Sequence, residues 1–450
     1  MWDSSLIIML IIFTFTIVFM LWRPLGINET IPTTIGAVIV LIVGIVSWTD
    51  IADIIGIVSG PSLTILSTIM MTIVLESIGF FNWIAINIVQ KSKGSGIRLF
   101  LYTNLLCFFM TMLFNNDGSI LITTPIIIRI VRLLKFKPHQ ILPYLISGAL
   151  IATSASAPIA VSNISNLIAL EIVGLSLNSY VAMMFVPSMI GIIIIAWLLY
   201  IYFQKDIPKV FSPIPFKRAN VHSKNLYTHP LDKVNKEEID WKMLKVSLVI
   251  IVITRASFFA FSPYGISLEY IGLFGASILL AYRWIYKGTG IMDVIKYTPW
   301  QILLFAFNMY VLVYGLKNVG LNDFIVAFLE GIVAQDALQA TIIMGMLTTV
   351  LSNLVNNLPA VMISTLVIVD MNINPIIAQI AYLANVLGSD IGALLTPIGT
   401  LATLIWMFEL KRHGIKLTWG KYLKVTFIVI PIGLFVSLFS LYLWIMLFFQ

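Results

Sequence analysis

Two asparagine pairs stand inside apolar surroundings, Phe114-Asn115-Asn116-Asp117-Gly118 and, 241 residues later, Val355-Asn356-Asn357-Leu358-Pro359. An amide side chain offers two N–H donors and an acceptor oxygen. Each pair can therefore bind a polar solute or satisfy exposed backbone by capping a helix. A helix-breaking run follows each pair, Ala157-Pro158-Ile159-Ala160 and Thr396-Pro397-Ile398-Gly399, with the prolines 239 residues apart. Ser154, Ser156, Ser162, Asn163, Ser165 and Asn166 surround the first proline; Gly388, Ser389, Asp390, Gly392, Gly399 and Thr400 surround the second. Proline removes a backbone donor and glycine permits close approach. The freed carbonyls and half-helix N-termini can hold cations, neutral polyols or anions.

The candidate ligands are Asn115, Asn116, Ser156, Ser162, Asn163, Asn356, Asn357, Thr396 and Thr400, with Pro158, Pro397, Gly392 and Gly399 shaping the breaks. Asp117 and Asp390 are the acids nearest them, and Glu76 lies in the span before the first pair. Ionisable residues at membrane depth are functional candidates, and all three are candidates to carry a proton. The competing role for the two aspartates is that of permanent acceptors holding loop backbone. Arg255 reads as a buried counter-ion or a snorkelling side chain. Cys107 is the sole cysteine and reads as a small apolar filler; His139, His222, His229 and His413 fall in loops, so no metal site is expected.

The elements that must position these residues are transmembrane. The 450-residue chain is 60% hydrophobic and only 10% charged, with a mean hydropathy of +1.01, which excludes a soluble domain. Its net charge of +7 is attributed to cytoplasmic loops, which collect Lys and Arg, and not to a nucleic-acid partner. The run from Leu6 to Trp22 has no basic leading region and no cleavage site, so it reads as a retained span. Apolar stretches able to cross run approximately 4–22, 31–48, 61–80, 140–173 with an interruption, 178–203, 243–262, 266–285, 299–317, 375–410 with an interruption, and 421–449.

Stretches 97–134 and 337–370 are apolar arms around the two asparagine tips. Lys91, Lys93 and Arg98 precede the first, and Arg129, Arg132, Lys135 and Lys137 follow it. Both its ends are then cytoplasmic by the positive-inside rule, and the stretch is a re-entrant hairpin. Asp323, Glu330 and Asp336 precede the second, while Lys411, Arg412, Lys416, Lys421 and Lys424 follow the next span, so the second hairpin enters from outside. The expected fold is an all-α polytopic membrane protein of two inverted-topology repeats. It has about ten crossings, two opposed re-entrant hairpins and two broken helices. Residues 1–203 form the first repeat, 204–242 a cytoplasmic connecting loop and 243–450 the second, with both termini outside. Ile78-Gly79-Phe80 and Val319-Gly320-Leu321 repeat at the same offset, which also sets Glu76 opposite Lys317. Such a chain is a transporter with its site where the repeats meet. A channel or an integral-membrane enzyme is the competing class, but no nucleophile, base or metal cluster gathers at an interface.

The run from Ser352 to Ala360, together with that from Gly388 to Ala402, closely resembles the ArsB-type arsenite efflux permeases. Phe114 to Gly118, Thr124-Pro125 and Leu75 to Trp83 are similar too, and the resemblance spans essentially the whole chain. NhaD-type sodium/proton antiporters and dicarboxylate or citrate carriers share the hairpin pattern, so a sodium-coupled carboxylate carrier or a sodium/proton antiporter is the alternative. The resemblance implies a cell-membrane protein exporting arsenite and antimonite, driven by the proton gradient with no cofactor. Its implied partners are the bilayer, a soluble arsenite-stimulated ATPase on the cytoplasmic side in some systems, and a second copy of the chain. One cysteine cannot supply a three-thiolate arsenic site, so the cargo would be the neutral trihydroxide, held by amides, hydroxyls and backbone. The lack of Arg or Lys in either motif agrees with neutral cargo.

Overall fold

In the computed structural model, residues 4–211, 240–288 and 290–449 are described. The first half runs α1 (Ser4–Trp22), α2 (Thr30–Val43), α3 (Trp48–Ser77), α4 (Phe80–Lys91), α5 (Gly96–Leu113), α6 (Asn116–Leu133), α7 (Pro138–Ser154), α8 (Ile164–Val173) and α9 (Leu177–Phe203). The second runs α10 (Trp241–Phe261), α11 (Leu268–Lys287), α12 (Ile291–Tyr297), α13 (Gln301–Asn318), α14 (Leu321–Val333), α15 (Ala337–Val355), α16 (Asn357–Asp370), α17 (Pro375–Asp390), α18 (Leu401–Arg412) and α19 (Trp419–Phe448). Ten helical stretches among the described residues are long and apolar enough to cross a bilayer. The connecting loop expected over 204–242 lies outside the described residues from 212 to 239.

The two halves match element for element, with α12 and α13 together standing for α3. Gly79 and Gly320 both cap the next helix at φ 84°, a left-handed turn that a Cβ would strain. The halves run in opposite directions. At the C-terminus of α13, Asn318 donates to Ile45 O and to Asp50 Oδ2, each at 3.0 Å, so α13 ends where α3 begins. The base of hairpin α15–α16 lies at that same end, since Lys317 of α13 pairs with Asp370 of α16. The base of hairpin α5–α6 lies at the other end of α3, where Arg129 of α6 donates to Asn82 of α4 at 2.7 Å. A 30-residue helix is about 45 Å long, so the two hairpins enter the bundle from opposite faces.

Two boundaries differ from the expectation. Helix α2 stops at Val43, and α3 begins at Trp48 instead of near 61. Asp50, Asp53, Ser59 and Gly60 dilute the apolar signal there, yet Ser47 and Asp50 form a reciprocal capping box that starts the helix. The resulting α3 packs on α11, just as α13 packs on α2. Half-helices are exchanged in the same way. α8 packs on hairpin arm α16, and α18 on hairpin arm α6.

Candidate functional site

The second break is built by close approach. A Cβ at Gly392 would lie 2.0 Å from Thr349 Oγ1, and one at Gly399 would lie 1.8 Å from Ala393 O, so hairpin arm α15 and the turn itself fit only against glycine. Asn163 then caps α8 by accepting from Ser165 N at 3.1 Å, and Thr400 caps α18 by accepting from Thr403 N at 3.0 Å. Several freed carbonyls already have protein donors. Tyr180 of α9 donates to Ala157 O at 2.6 Å, and Tyr422 of α19 to Leu394 O at 3.0 Å. Thr426 donates to Leu395 O, Asn353 to Gly392 O and Asn356 to Ile398 O, at 2.7, 2.9 and 3.1 Å. The open coordination capacity is thereby moved from the backbone to side chains.

Asp390 joins the two breaks. Fully buried at the end of α17, it accepts from Ser156 (2.8 Å) and Asn166 (2.7 Å) on Oδ2, and from Asn163 (2.8 Å) and Ser389 (3.3 Å) on Oδ1. Three of these donors belong to the opposite half. An ionised carboxylate is an acceptor only, with two lone-pair positions on each oxygen; the amide donors Asn163 and Asn166 match that form, while the single Ser156 proton is shared with Thr153 O at 2.7 Å. Asn166 stands in the first motif without a role assigned from sequence, although it follows Asn163 by three residues and so shares its helix face.

Asp117 has a different setting. It occupies the first turn of α6, half-buried, and no donor among the described residues is seated on its carboxylate. The carboxylates of Glu29 and Asp390 are near enough to act on it. Glu76 is not brought to the breaks: it lies in the last turn of α3, at the end face of the bundle.

At the tips, Asn115 Oδ1 accepts from Gly118 N at 2.6 Å and Asn116 Oδ1 from Asp117 N at 2.8 Å, both capping α6. Thr396 donates through N and Oγ1 to Asn353 Oδ1, each at 2.8 Å, and so ties the second break to α15. Asn353, one turn before the tip, is another participant that its position in a helix arm hides in sequence. Ser156, Asn163, Thr396 and Thr400 thus have their polar atoms engaged within the protein, and Asn357 is buried at the second tip. Seven polar atoms around the breaks and tips are buried with no partner among the described residues: Thr111 Oγ1, Asn115 Nδ2, Ser162 Oγ, Asn166 Oδ1, Arg255 NH1, Ser352 Oγ and Asn356 Oδ1.

A cation also reaches a tip. Arg255 of α10 donates from one guanidinium nitrogen to Phe114 O, while its NH1 is buried without a partner and its Cζ lies 5.6 Å from the Phe258 ring centre. It neither snorkels nor pairs with an acid. No Arg or Lys stands in either motif, but the fold delivers one across 141 residues of chain. Cys107 is buried, with its Sγ 3.1 Å from where a Cβ at Gly148 would stand, which is the packing role expected of it. No group of three metal-ligating residues occurs among the described residues.

The tip of hairpin α15–α16 holds Asn356 at φ 83°, ψ 156°, a region that is essentially glycine-only and costs a side-chain-bearing residue about 1–3 kcal/mol. Asn356→Gly is expected to leave melting temperature in detergent unchanged or raised, because the relieved strain offsets the lost bond to Ile398. Transport is expected to be lost with the amide. A melting temperature lowered by several degrees would instead assign Asn356 to the fold.

The halves differ in exposure. In α16 every residue from 357 to 368 is buried, and in α8 every residue from 164 to 170. In their counterparts, α6 exposes Leu121 (47%) beside the half-buried Asp117 and Gly118, and α18 exposes Phe408 (60%). Arm α16 and half-helix α8 are thus more deeply packed than their counterparts α6 and α18.

The family model described as arsenical pump membrane protein matches residues 8–445. A putative arsenical pump membrane protein of Bacillus subtilis is 49% identical over 438 residues, covering 96% of this chain and 98% of that one. An arsenical pump membrane protein of Escherichia coli is 33% identical over 430 residues, covering 96% and 97%. Among solved structures, the YdaH transporter of Alcanivorax borkumensis superposes with a TM-score of 0.55 over 90% of each chain; at 12% identity this likeness speaks to fold alone.

Proposed function

The chain belongs to the arsenical pump membrane protein family, and from that premise we propose that it exports trivalent arsenic and antimony as neutral trihydroxides, by alternating access and in exchange for protons. It is a multi-pass membrane transporter and not an enzyme. In the proposed orientation, the face carrying Lys91, Arg132 and Lys411 is cytoplasmic, and cargo enters along the less deeply packed elements α6 and α18.

The observation that carries this reading is the set of unpartnered buried atoms around the breaks and tips. It contains an amide and a guanidinium donor, three hydroxyls and two amide oxygens. A trihydroxide needs that mixture, since each of its hydroxyls donates one hydrogen bond and accepts others. The set contains no thiolate, and it holds no carboxylate that would favour a metal cation. Protein donors on the break carbonyls weigh against a sodium site there. Of the two aspartates, Asp117 is the proposed proton carrier, because it is only half-buried and its carboxylate has no donor among the described residues. Asp390, held by the amides of Asn163 and Asn166, is the proposed brace.

Everted membrane vesicles under an imposed proton gradient test the reading, with arsenite, citrate and sodium compared as cargo. Arsenite accumulation that collapses when the gradient is dissipated is expected. Sodium-dependent citrate uptake, or no arsenite accumulation by inserted protein, would overturn it. The double substitution Ser162→Ala with Ser352→Ala removes two hydroxyls that make no bond within the described protein, so folding should be unaffected. Arsenite KM should rise roughly tenfold, the effect of losing about 1.4 kcal/mol of hydrogen bonding.

A further inference from the structure

The ion pair at the base of the second hairpin has a charge-reversed counterpart in the first half. Lys317, in the last turn of α13, holds Asp370 at the end of α16 at 2.9 Å, and Asn322 of α14 donates to the same carboxylate at 3.0 Å. Stepping back 241 residues from each member leads to Glu76, in the last turn of α3, and Arg129, near the end of α6. Acid and base have changed places, yet each pair would join the same two elements, a long span and the returning arm of a hairpin. Because the halves are inverted, the two pairs lie at opposite faces.

Their states in this structure differ. Lys317–Asp370 is closed where arm α16 is packed against α13 and α14 and buried from 357 to 368. Arg129 is exposed and donates to Asn82 at 2.7 Å, at the base of the less deeply packed hairpin arm α6. Glu76 has a contact of its own here, which it would exchange for Arg129.

We propose that the two pairs are alternate latches of the transport cycle, resting on the alternating-access reading above. Lys317–Asp370 holds the second hairpin shut in the state seen here. Glu76–Arg129 holds the first hairpin shut once access has alternated. An ion pair as exposed as Lys317–Asp370, with side chains 31% and 25% accessible, contributes little to folding. Formed in only one of two balanced states, it shifts their ratio by up to about fivefold. These four residues are positioning residues and do not contact cargo.

The test places Leu121→Cys, on the exposed face of α6, in a Cys107→Ser background and follows its labelling by a membrane-impermeant maleimide applied to everted vesicles. Lesions in the two latches should act with opposite sign. Lys317→Gln or Asp370→Asn destabilises the state seen here and slows labelling, by up to about fivefold. Arg129→Gln destabilises the opposite state and leaves labelling unchanged or faster. The exchanged pair Lys317→Glu with Asp370→Lys should restore the starting rate, which a merely structural role would not do. Lesions of the same sign, or an exchange that fails to rescue, would overturn the latches. If arsenite leaves labelling of the unlesioned reporter unaltered, the alternating-access reading itself fails. If arsenite alters that labelling but the lesions do not oppose each other, only the latch assignment falls.

Discussion

Asp390→Asn is expected to abolish arsenite export and to lower the stability of the inserted protein by about 3–5 kcal/mol, as removing one partner from a buried charged network does. The amide can present one oxygen to one pair of donors. Its NH2 must then face the other pair, either Ser156 and Asn166 or Asn163 and Ser389. Two hydrogen bonds to a charged acceptor are lost; the serine of that pair can turn to accept from the new NH2, but the asparagine amide left unpaired adds about 1–3 kcal/mol. Because three of the four donors lie in the other half, the loosening falls between the repeats and not within one helix. Thermal unfolding in detergent, with wild type and Asp390→Glu beside it, measures the effect. The outcome also separates two roles. An asparagine imitates a protonated carboxyl, so a carboxylate that cycles through its acid form would tolerate the change structurally while losing transport. A normal melting temperature with no export would therefore make Asp390 a proton carrier and remove the brace.

How far this arrangement can be read from sequence depends on which interactions are local. Helix-breaking residues in apolar surroundings are conspicuous because lipid tolerates unpaired backbone only where protein or a cavity covers it; Asn115, Asn356, Pro158 and Pro397 therefore stand out at once. Their offset carries the repeat, and basic residues carry the orientation. The start of α3 is hidden because Asp50, Asp53 and Ser59 interrupt the apolar run in its first turns, although the helix continues through them from its Ser47 cap. What apolar periodicity does not contain is the partner of a polar side chain across the repeat interface. Asp390 and its three donors in the other half are 224 to 234 positions apart, and Arg255 meets Phe114 from a helix with no motif of its own. The opposition of Glu76 and Lys317 is visible in sequence, but its meaning is not. It needs the Lys317–Asp370 contact and then the step back to Arg129.

Asp117→Asn should leave the fold intact and uncouple transport. No donor among the described residues rests on the Asp117 carboxylate, so the amide strands nothing, and Asn115 and Asn116 still cap α6 through their own oxygens. The melting temperature should therefore match wild type, in contrast to Asp390→Asn. What the variant loses is the exchangeable proton. A neutral trihydroxide carries no charge, so each coupled proton moves one net charge across the membrane, worth about 2.3 kcal/mol per 100 mV. That free energy sustains roughly a fiftyfold concentration ratio per proton, since about 1.4 kcal/mol is a factor of ten. In everted vesicles energised to such a potential, the variant should bring arsenite only to equality across the membrane. Exchange of labelled for unlabelled arsenite, which needs no net proton movement, should continue. The same balance predicts that wild-type accumulation responds to membrane potential at constant pH. Loss of exchange together with accumulation would make Asp117 a ligand of the cargo, and accumulation that survives in Asp117→Asn would return the proton to another residue.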